Sequence, residues 1–107
     1  MSVLCAHRGA SGNFPENTMS AFNGARNIGM KWIETDISLT SDNQLIIFHD
    51  DKLGRTTQGV KKISELVFQD LKDLDVGIWK GKEFEGERIV SLNQLLLWQE
   101  KYQISIN

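Results

Sequence analysis

Only five residues, 40–44, separate two strand-like segments of this 107-residue chain, and this spacing constrains the fold more than any other feature. The first segment, residues 31–39, alternates in character along its length, and the second, residues 45–48, is continuously apolar. Five residues are too few for the crossover connection that parallel strands require. We therefore expect a local antiparallel hairpin.

The register of this hairpin predicts which side chains meet. With a tip near Asp42, paired residues have numbers that sum to about 84, which places His49 beside Thr35 and Asp36. Glu34 lies two residues before Asp36, so the two carboxylates share one face of the strand, with Cα atoms roughly 6.6 Å apart. The spacing alone thus brings His49 to a pair of carboxylates.

Two neighbouring carboxylates repel each other unless something compensates their charge. At a separation of about 5 Å and an effective dielectric constant near 20, the repulsion is on the order of 3 kcal/mol. Hard oxygen ligands at this spacing suit Mg²⁺ or Ca²⁺, so Glu34 and Asp36 are candidate ligands of a divalent cation. The alternative is a solvated polar face of an edge strand, and the pair alone does not decide between them.

The chain begins with a pattern typical of a buried strand, a loop and a helix. Residues 3–6 form a short apolar run, and a glycine-bearing loop follows at residues 9–15. Asn17 or Thr18 is positioned to cap a helix that Gly29 ends. The apolar positions of this helix recur every three residues, at Met19, Phe22, Ala25 and Ile28.

Polar residues stand where the first strand ends. The planar, permanently charged side chain of Arg8 matches a phosphate group, and backbone amides near Gly9 and Gly12 add donors. His7 and His49 both end apolar strands, and two imidazoles beside a metal-bound phosphate are what general acid and base catalysis requires. The alternative is that both histidines are structural and that Arg8 forms a surface salt bridge.

The second half of the chain is looser. Glycines punctuate residues 51–88, where the one good helical pattern covers residues 64–74. Ser91 then opens another helix, with Gln94 completing a capping box. Residues 103–107 alternate like the start of a strand.

Charge and hydropathy exclude several classes of protein. With 12 Lys and Arg against 14 Asp and Glu, the chain has no basic excess for binding nucleic acid. Its longest apolar runs have four residues, so no transmembrane segment is expected. Residues 1–6 lack the features of a secretory signal, which predicts a cytoplasmic protein. The single cysteine, Cys5, is expected in the core, and Trp79 is expected to pack beneath the loops rather than line a substrate mouth.

Several segments together carry a specific resemblance. They are His7-Arg8-Gly9, Pro15-Glu16-Asn17-Thr18 with Ala21-Phe22, Glu34-Thr35-Asp36, Leu39-Thr40-Ser41-Asp42, and Phe48-His49-Asp50 followed by Arg55-Thr56-Thr57. In these segments, their order and the continuation over residues 71–79, the chain closely resembles the glycerophosphodiester phosphodiesterases. The resemblance implies an α/β fold, the N-terminal half of a TIM barrel of the phospholipase C-like phosphodiesterase type. Residues 1–107 would form this partial domain, with a loop-rich insertion at residues 51–90 that carries part of the specificity for glycerol.

The resemblance also implies a reaction and a role for each site residue. The reaction is hydrolysis of a small-molecule glycerophosphodiester to an alcohol and glycerol 3-phosphate. By motif matching, His7 and His49 are the general acid and base, and Arg8 contacts the phosphate. Glu34 and Asp36 bind a divalent cation, Mg²⁺ or Ca²⁺.

Two departures from the family pattern shape further expectations. The family's third metal ligand, a Glu in a pattern like Asn-Ile-Glu-Ile-Lys, has no counterpart because the sequence stops at Ile106-Asn107, and Val90 replaces a usual proline. Since a complete barrel needs at least about 200 residues, we expect an N-terminal fragment or truncated product with a weak metal site and little turnover. Exposed half-barrel edges are expected to cause self-association.

Two other interpretations remain open at this stage. In the first interpretation, the chain is an enzyme from another branch of the same barrel group, such as a phospholipase D-like toxin or a phosphoinositide-specific phospholipase. In the second interpretation, the chain is not an enzyme but a non-catalytic module that binds phosphate or metal, or a vestigial oligomerising module.

Overall fold

In the computed structural model, which describes residues 5–107, short strands alternate with helices. The expected strand at residues 3–6 falls partly outside the described residues. Along the chain the elements are β1 (Cys5–His7), α1 (Met19–Asn27), β2 (Trp32–Glu34), β3 (Ile37–Leu39), β4 (Leu45–Ile47), α2 (Phe68–Leu71), β5 (Val90–Ser91), α3 (Leu92–Tyr102) and β6 (Ser105–Ile106).

Two three-stranded sheets organise these elements. The first is parallel, in the order β1-β2-β6, and the second is antiparallel, in the order β3-β4-β5. Helix α1 connects β1 to β2, and α3 leads into β6, which is the strand–helix–strand pattern of an α/β barrel. The expected fold class, the N-terminal half of a TIM barrel, is therefore confirmed.

The predicted helix after the first loop is present, and Thr18 is its cap. The Thr18 hydroxyl oxygen accepts a hydrogen bond from the Ala21 N–H at 3.2 Å, which satisfies one of the free amides of the first turn. The helix ends as expected, because Gly29 adopts a φ of 89°. The capping box of α3, formed by Ser91 and Gln94, is also confirmed.

The hairpin has the predicted direction and register. Strands β3 and β4 are antiparallel, and Ser38 lies opposite Ile46, so that paired residue numbers sum to 84 as the spacing predicts. Strand β5, which pairs with β4, was not predicted, because two residues are too short a run to give a pattern.

The prediction of one continuous strand over residues 31–39 is wrong, because the chain changes partners after Thr35. The Thr35 N–H still donates to the Asn107 carbonyl oxygen beside β6, at 3.3 Å. One residue later, the bond is to the other sheet: the Asp36 carbonyl oxygen accepts from the Phe48 N–H, just after β4, at 2.9 Å. The segment thus leaves the parallel sheet and enters the antiparallel one between these two residues.

The prediction of one helix over residues 64–74 is also wrong. A 3₁₀ turn at Ile63–Glu65 and the short helix α2 replace it. Between them, the Leu66 carbonyl accepts from Ser41 and the Phe68 N–H donates to the Asp42 carboxylate. Bonds to the hairpin tip therefore replace the bonds that a continuous helix would form.

The far end of the loop-rich segment is tied to the N-terminal part of the chain. The Ser20 N–H donates to Glu87 Oε1 at 3.0 Å, and the Lys80 ammonium donates to the Ser11 carbonyl at 3.1 Å. The rings of Phe14 and Phe84 have centroids 5.6 Å apart. These contacts hold residues 80–87 against α1 and the loop before it.

The core has two parts. In the first, α1 and α3 pack against the parallel sheet, with Phe22, Ile33 and Leu95 fully buried. The Trp98 Nε1–H in this cluster donates to Asn23 Oδ1 at 2.7 Å. A second cluster lies beneath the loop-rich segment and includes Ile46, Phe48 and Leu71.

Several apolar side chains remain exposed. On the hairpin, Ile37, Leu39 and Leu45 are 54%, 50% and 42% exposed, respectively. Cys5 is also exposed rather than in the core, because the side chains of β1 alternate and Ala6 takes the buried position. Within residues 5–107, no helix has the length and apolar character that crossing a bilayer requires.

Gly9 is the tightest point of the loop after β1. Its φ is +78°, and a Cβ added there would lie 2.7 Å from the carbonyl carbon of Ala21. We expect Gly9→Ala to lower the free energy of unfolding by at least roughly 2 kcal/mol, because it combines backbone strain with a clash against helix backbone. Urea denaturation measures this loss. Gly12→Ala is the matched control: Gly12 has open space around it, and an equal loss in both variants would contradict the explanation.

Candidate active site

The ends of β1 and β2 meet at the centre of the candidate site. His7 lies opposite Glu34 in the parallel register, and its Nε2 atom is 3.3 Å from the Glu34 carboxylate. The Arg8 N–H donates to the Glu34 carbonyl oxygen, which extends the pairing by one residue. The first two predicted site segments are therefore in direct contact.

Arg8 occupies an uncommon backbone conformation. Its φ of 54° lies in the left-handed region, which a long side chain adopts only when its surroundings enforce it. Hydrogen bonds enforce it from both sides, because the Asn17 N–H donates to the Arg8 carbonyl at 2.9 Å. Asn17 itself has a φ of 56°, a conformation that asparagine tolerates well.

The guanidinium of Arg8 is largely buried among acidic groups. Its Nε atom lies 3.3 Å from Asp36 Oδ2, and Nη1 lies 3.3 Å from Glu16 Oε1. The Nε–H is not aligned to form a hydrogen bond with any atom of residues 5–107. This nitrogen is enclosed by the protein and faces Asp36, so it balances the charge of that carboxylate.

Asn17 is the second buried group with an unused atom. Its side-chain amide donates to Asp36 Oδ2 at 3.3 Å, which leaves Oδ1 without a hydrogen-bond partner in the described part of the chain. The residue is only 4% exposed, so water does not readily satisfy this oxygen. An acceptor oxygen is thus held next to the Asp36 carboxylate.

His49 lies near this group but bonds to a different carboxylate. A small cavity of about 10 Å³ is lined by both Asn17 and His49, so the two residues are neighbours. Within residues 5–107, however, the hydrogen-bond partner of the His49 ring is Asp50, with 2.6 Å between Nδ1 and Oδ1. The register is as predicted, but the His49 ring bonds to the residue that follows it rather than to Glu34 or Asp36, its expected neighbours.

Asp50 and Glu16 share one arginine. Hydrogen bonds from Arg55 lower the pKa of Asp50 to about 2. Burial raises the pKa of Glu16, but hydrogen bonds and the charges of Arg55 and Arg8 outweigh it and leave that pKa below its usual range. The hydrogen bonds to Glu16 and Asp50 raise the pKa of Arg55. All three groups are therefore charged at neutral pH.

The structure divides the predicted residues into two groups. One connected cluster contains His7, Arg8, Glu34 and Asp36. His49 is linked to this cluster by the hydrogen bond from the neighbouring Phe48 N–H to the Asp36 carbonyl and by the cavity that it lines with Asn17. Within residues 5–107, no three His, Cys, Asp or Glu side chains are placed to hold a metal together. The two carboxylates fit a hard cation as part of a ligand set, because such ions prefer carboxylate oxygens.

Sequence reasoning assigned no role in the site to four residues that the structure places around it. They are Glu16, Asn17, Asp50 and Arg55. The signal for Asp50 was its position next to His49. The pairing of Glu16 with Arg55 spans 39 residues, a separation that no local pattern reveals.

A larger cavity of about 380 Å³ opens beside Arg55. It is also lined by Thr56, Asp73, Ile78 and Trp79. Contrary to expectation, Trp79 is 39% exposed and lines this cavity, because its Nε1–H is anchored to the Val76 carbonyl at 2.9 Å. The volume lies in the range of small-molecule sites.

Comparison with known proteins gives a consistent result. A sequence profile described as the Glycerophosphoryl diester phosphodiesterase family matches residues 7–107. A glycerophosphodiester phosphodiesterase of Caldanaerobacter subterraneus subsp. tengcongensis is 42% identical over 94 residues, covering 88% of this chain and 39% of that protein. One of Bacillus subtilis is 37% identical over 102 residues, covering 88% of this chain and 35% of that protein.

Solved structures agree with the sequence comparison. A phosphodiesterase of Oleispira antarctica in complex with the product sn-glycerol-3-phosphate has 40% identity and a TM-score of 0.94, covering 100% of this chain and 43% of that one. A glycerophosphodiester phosphodiesterase of Agrobacterium tumefaciens has 30% identity and a TM-score of 0.94, covering 99% of this chain and 46% of that one. The chain thus spans about two fifths of the length of these relatives.

The ion pair between Asp50 and Arg55 generates a prediction about pH. We expect Asp50→Asn to lower the unfolding free energy by about 1 kcal/mol at pH 6, a value discounted for solvent screening of a partly exposed pair. Because the folded-state pKa of Asp50, about 2, lies below the unfolded value, the stabilisation is complete above about pH 4 and is lost as the pH falls through 2.

Urea denaturation of the native chain and of Asp50→Asn between pH 6 and 2 measures this loss. The difference in unfolding free energy should shrink as the solution becomes more acidic. A difference that stays constant over the whole range would contradict the assignment. In an Arg55→Gln background, the pH-dependent part of the difference should disappear, because the arginine is its main cause.

Proposed function

The chain belongs to the glycerophosphoryl diester phosphodiesterase family, and from this membership we propose that the protein hydrolyses glycerophosphodiesters to an alcohol and glycerol 3-phosphate. The observation that carries the proposal is the cluster of His7, Arg8, Glu34 and Asp36 at the ends of β1 and β2. A metal ligand set, an anion contact and an imidazole are the groups that cleavage of a phosphodiester requires.

Arg8 is the proposed contact for the phosphate group. Its guanidinium is held by a strained backbone turn and by two carboxylates, so it is positioned before a ligand arrives. Of its nitrogens, Nε is enclosed against Asp36, so the terminal nitrogens are the ones proposed to contact a phosphate oxygen. A donor that needs no rearrangement stabilises a charged ester more than a mobile surface arginine does.

Glu34 and Asp36 are the proposed ligands of a divalent cation, Mg²⁺ or Ca²⁺. Carboxylate oxygens are the ligands that both ions prefer. When bound, such a cation withdraws charge from a phosphoryl oxygen. His7 faces Glu34 and Arg8 faces Asp36, so each lies beside one of the two proposed ligands.

His7 and His49 are the proposed acid and base. One imidazole removes a proton from the attacking oxygen, and the other donates a proton to the alcohol oxygen as its bond to phosphorus breaks. Each ring has one nitrogen beside a carboxylate: Nε2 of His7 faces Glu34, and Nδ1 of His49 faces Asp50.

The loop-rich segment at residues 51–90 is the proposed insertion within the partial barrel domain of residues 1–107. Its cavity beside Arg55 and Thr56 is the proposed site for part of the diester beyond the phosphate, since Thr56 also lines the smaller cavity at His49. Ile78 and Trp79 suit a carbon skeleton there, and Arg55 and Asp73 place charged groups in the same wall.

A second candidate function is binding of phosphate or metal without catalysis. It is favoured by one observation: within residues 5–107, only two carboxylates face the proposed cation, and no third metal-binding side chain completes the group. The same observation makes slow turnover the expectation for this chain by itself.

Ligand binding tests the proposed function without relying on turnover. We expect sn-glycerol 3-phosphate to bind in the presence of Mg²⁺ or Ca²⁺, with about tenfold weaker binding in Glu34→Gln and in Arg8→Gln, because each variant removes a charge from the site. Isothermal titration calorimetry measures the affinity for the metal ion and the affinity for sn-glycerol 3-phosphate. Glu100→Gln and Arg88→Gln, at exposed positions outside the cluster, are the matched controls.

Two results would count against the proposed function. The first is an absence of site-dependent heat, meaning that Glu34→Gln and Glu100→Gln behave alike. The second is binding of intact phospholipid vesicles in preference to glycerophosphocholine, which would favour a phospholipase of the same barrel group. Release of sn-glycerol 3-phosphate from glycerophosphocholine, abolished in His49→Ala, separates the enzyme from the non-catalytic alternative.

We also propose that this chain associates with copies of itself through the exposed face of the hairpin. Ile37 and Leu39 lie on β3, which is an edge strand, and both point to solvent. An apolar edge of this kind pairs readily with another chain. Light scattering after size-exclusion chromatography should show a mass that increases with concentration, and Ile37→Lys with Leu39→Lys should reduce it. Val60→Lys, on a side chain that is 86% exposed, is the control. A monomer at every concentration would contradict the proposal.

A further inference from the structure

Arg55 bridges two carboxylates from different loops. Toward Glu16, Nη1 lies 2.8 Å from Oε1 and Nη2 lies 2.7 Å from Oε2, which is a two-bond contact between planar groups. Toward Asp50, Nε lies 2.8 Å from Oδ2 and Nη2 lies 3.1 Å from Oδ1. Arginine is the only side chain whose donors form such a fork, so lysine cannot reproduce both contacts.

Each carboxylate in turn contacts a residue of the candidate active site. Glu16 lies against the Arg8 guanidinium at 3.3 Å, and Asp50 accepts from the His49 ring at 2.6 Å. The five side chains therefore form one chain of contacts between the loop after β1 and the loop after β4, and the first four alternate in charge. Its sequence of contacts is Arg8, Glu16, Arg55, Asp50, His49.

The contact with Asp50 determines the form of the His49 ring. An ionised carboxylate can only accept hydrogen bonds, so at 2.6 Å the proton must lie on Nδ1 of the neutral imidazole. Nε2 is then free of a proton and able to accept one. Asp50 keeps this orientation because Arg55 occupies both of its oxygens, which leaves the carboxylate little freedom to rotate.

We propose that Arg55 is a positioning residue that sets the tautomer and orientation of His49 through Asp50, and that couples this ring to Arg8 through Glu16. The proposal rests on the proposed function for its significance, because a ring with a free Nε2 matters only where it exchanges a proton. The side chain of Arg55 is 43% exposed and forms part of the larger cavity, so substrate that enters this cavity approaches the group that orients the acid–base pair.

Nitrogen NMR of the chain labelled at histidine tests the proposal, because the two tautomers of a neutral imidazole give different ¹⁵N shifts. Near pH 8, His49 of the native chain should be mainly the Nδ1–H tautomer. In Arg55→Gln, Asp50 loses its anchor, and we expect the Nδ1–H form to become the minor one. Arg55→Lys should restore it only in part, since one ammonium cannot hold both carboxylates.

The controls separate positioning from a general loss of structure. Arg88→Gln changes an exposed arginine of the same loop-rich segment and should leave the tautomer ratio unchanged. Asp50→Ala should give the same tautomer shift as Arg55→Gln, whether or not Arg55→Gln is less stable. His7, whose neighbour is Glu34, provides an internal reference in every spectrum.

An unchanged tautomer ratio at His49 in Arg55→Gln would overturn the proposal, as would an equal change in Arg88→Gln. This outcome is distinguishable from failure of the proposed function. If the tautomer shifts as expected but sn-glycerol 3-phosphate does not bind the native chain, the positioning network exists and the enzymatic assignment fails.

Discussion

The parallel pairing of β1 with β2 is the constraint on which the rest of the site depends. Its register places His7 opposite Glu34, and the next hydrogen bond, from the Arg8 N–H to the Glu34 carbonyl, continues the pairing beyond the end of the strand. A shift of one strand by one residue would put the histidine and the carboxylate on opposite faces of the sheet. Because Ala6 and Ile33 are buried on the inner side of the same pair, the hydrophobic core and the site share one register.

Much of the local structure could be predicted from the sequence, because local chemistry determines it. The cap at Thr18 and the register of the β3–β4 hairpin depend on residues close together in the chain. The errors occurred where distant segments compete for the same backbone groups. The strand break after Thr35 depends on Asn107 and Phe48, and the interruption near Leu66 depends on the hairpin tip. No hydrophobic periodicity in the sequence contains this information.

The site residues divide in the same way, into those that a local sequence pattern reveals and those that it does not. Arg8, the two histidines and the carboxylates stand out because they interrupt or follow apolar strands. Glu16 and Arg55 do not, since one lies in a loop before a helix and the other in an irregular segment. Their contact nevertheless supplies the charge balance that allows a buried guanidinium and a buried carboxylate to remain ionised together. Motif matching found these residues, and only the structure gave them a physical role.

The anchors of the loop-rich segment and the walls of its cavity involve different residues. Lys80, Phe84 and Glu87 fasten the segment to the N-terminal part of the chain, whereas Asp73, Ile78 and Trp79 face the cavity. Replacing Asp73 or Ile78 therefore alters the shape and polarity of the cavity while these anchors stay in place, whereas Trp79 also contacts the Lys80 ammonium, 5.5 Å from its ring centroid. During evolution, a lineage can acquire a preference for a different ligand at this rim in single steps, with little cost to folding.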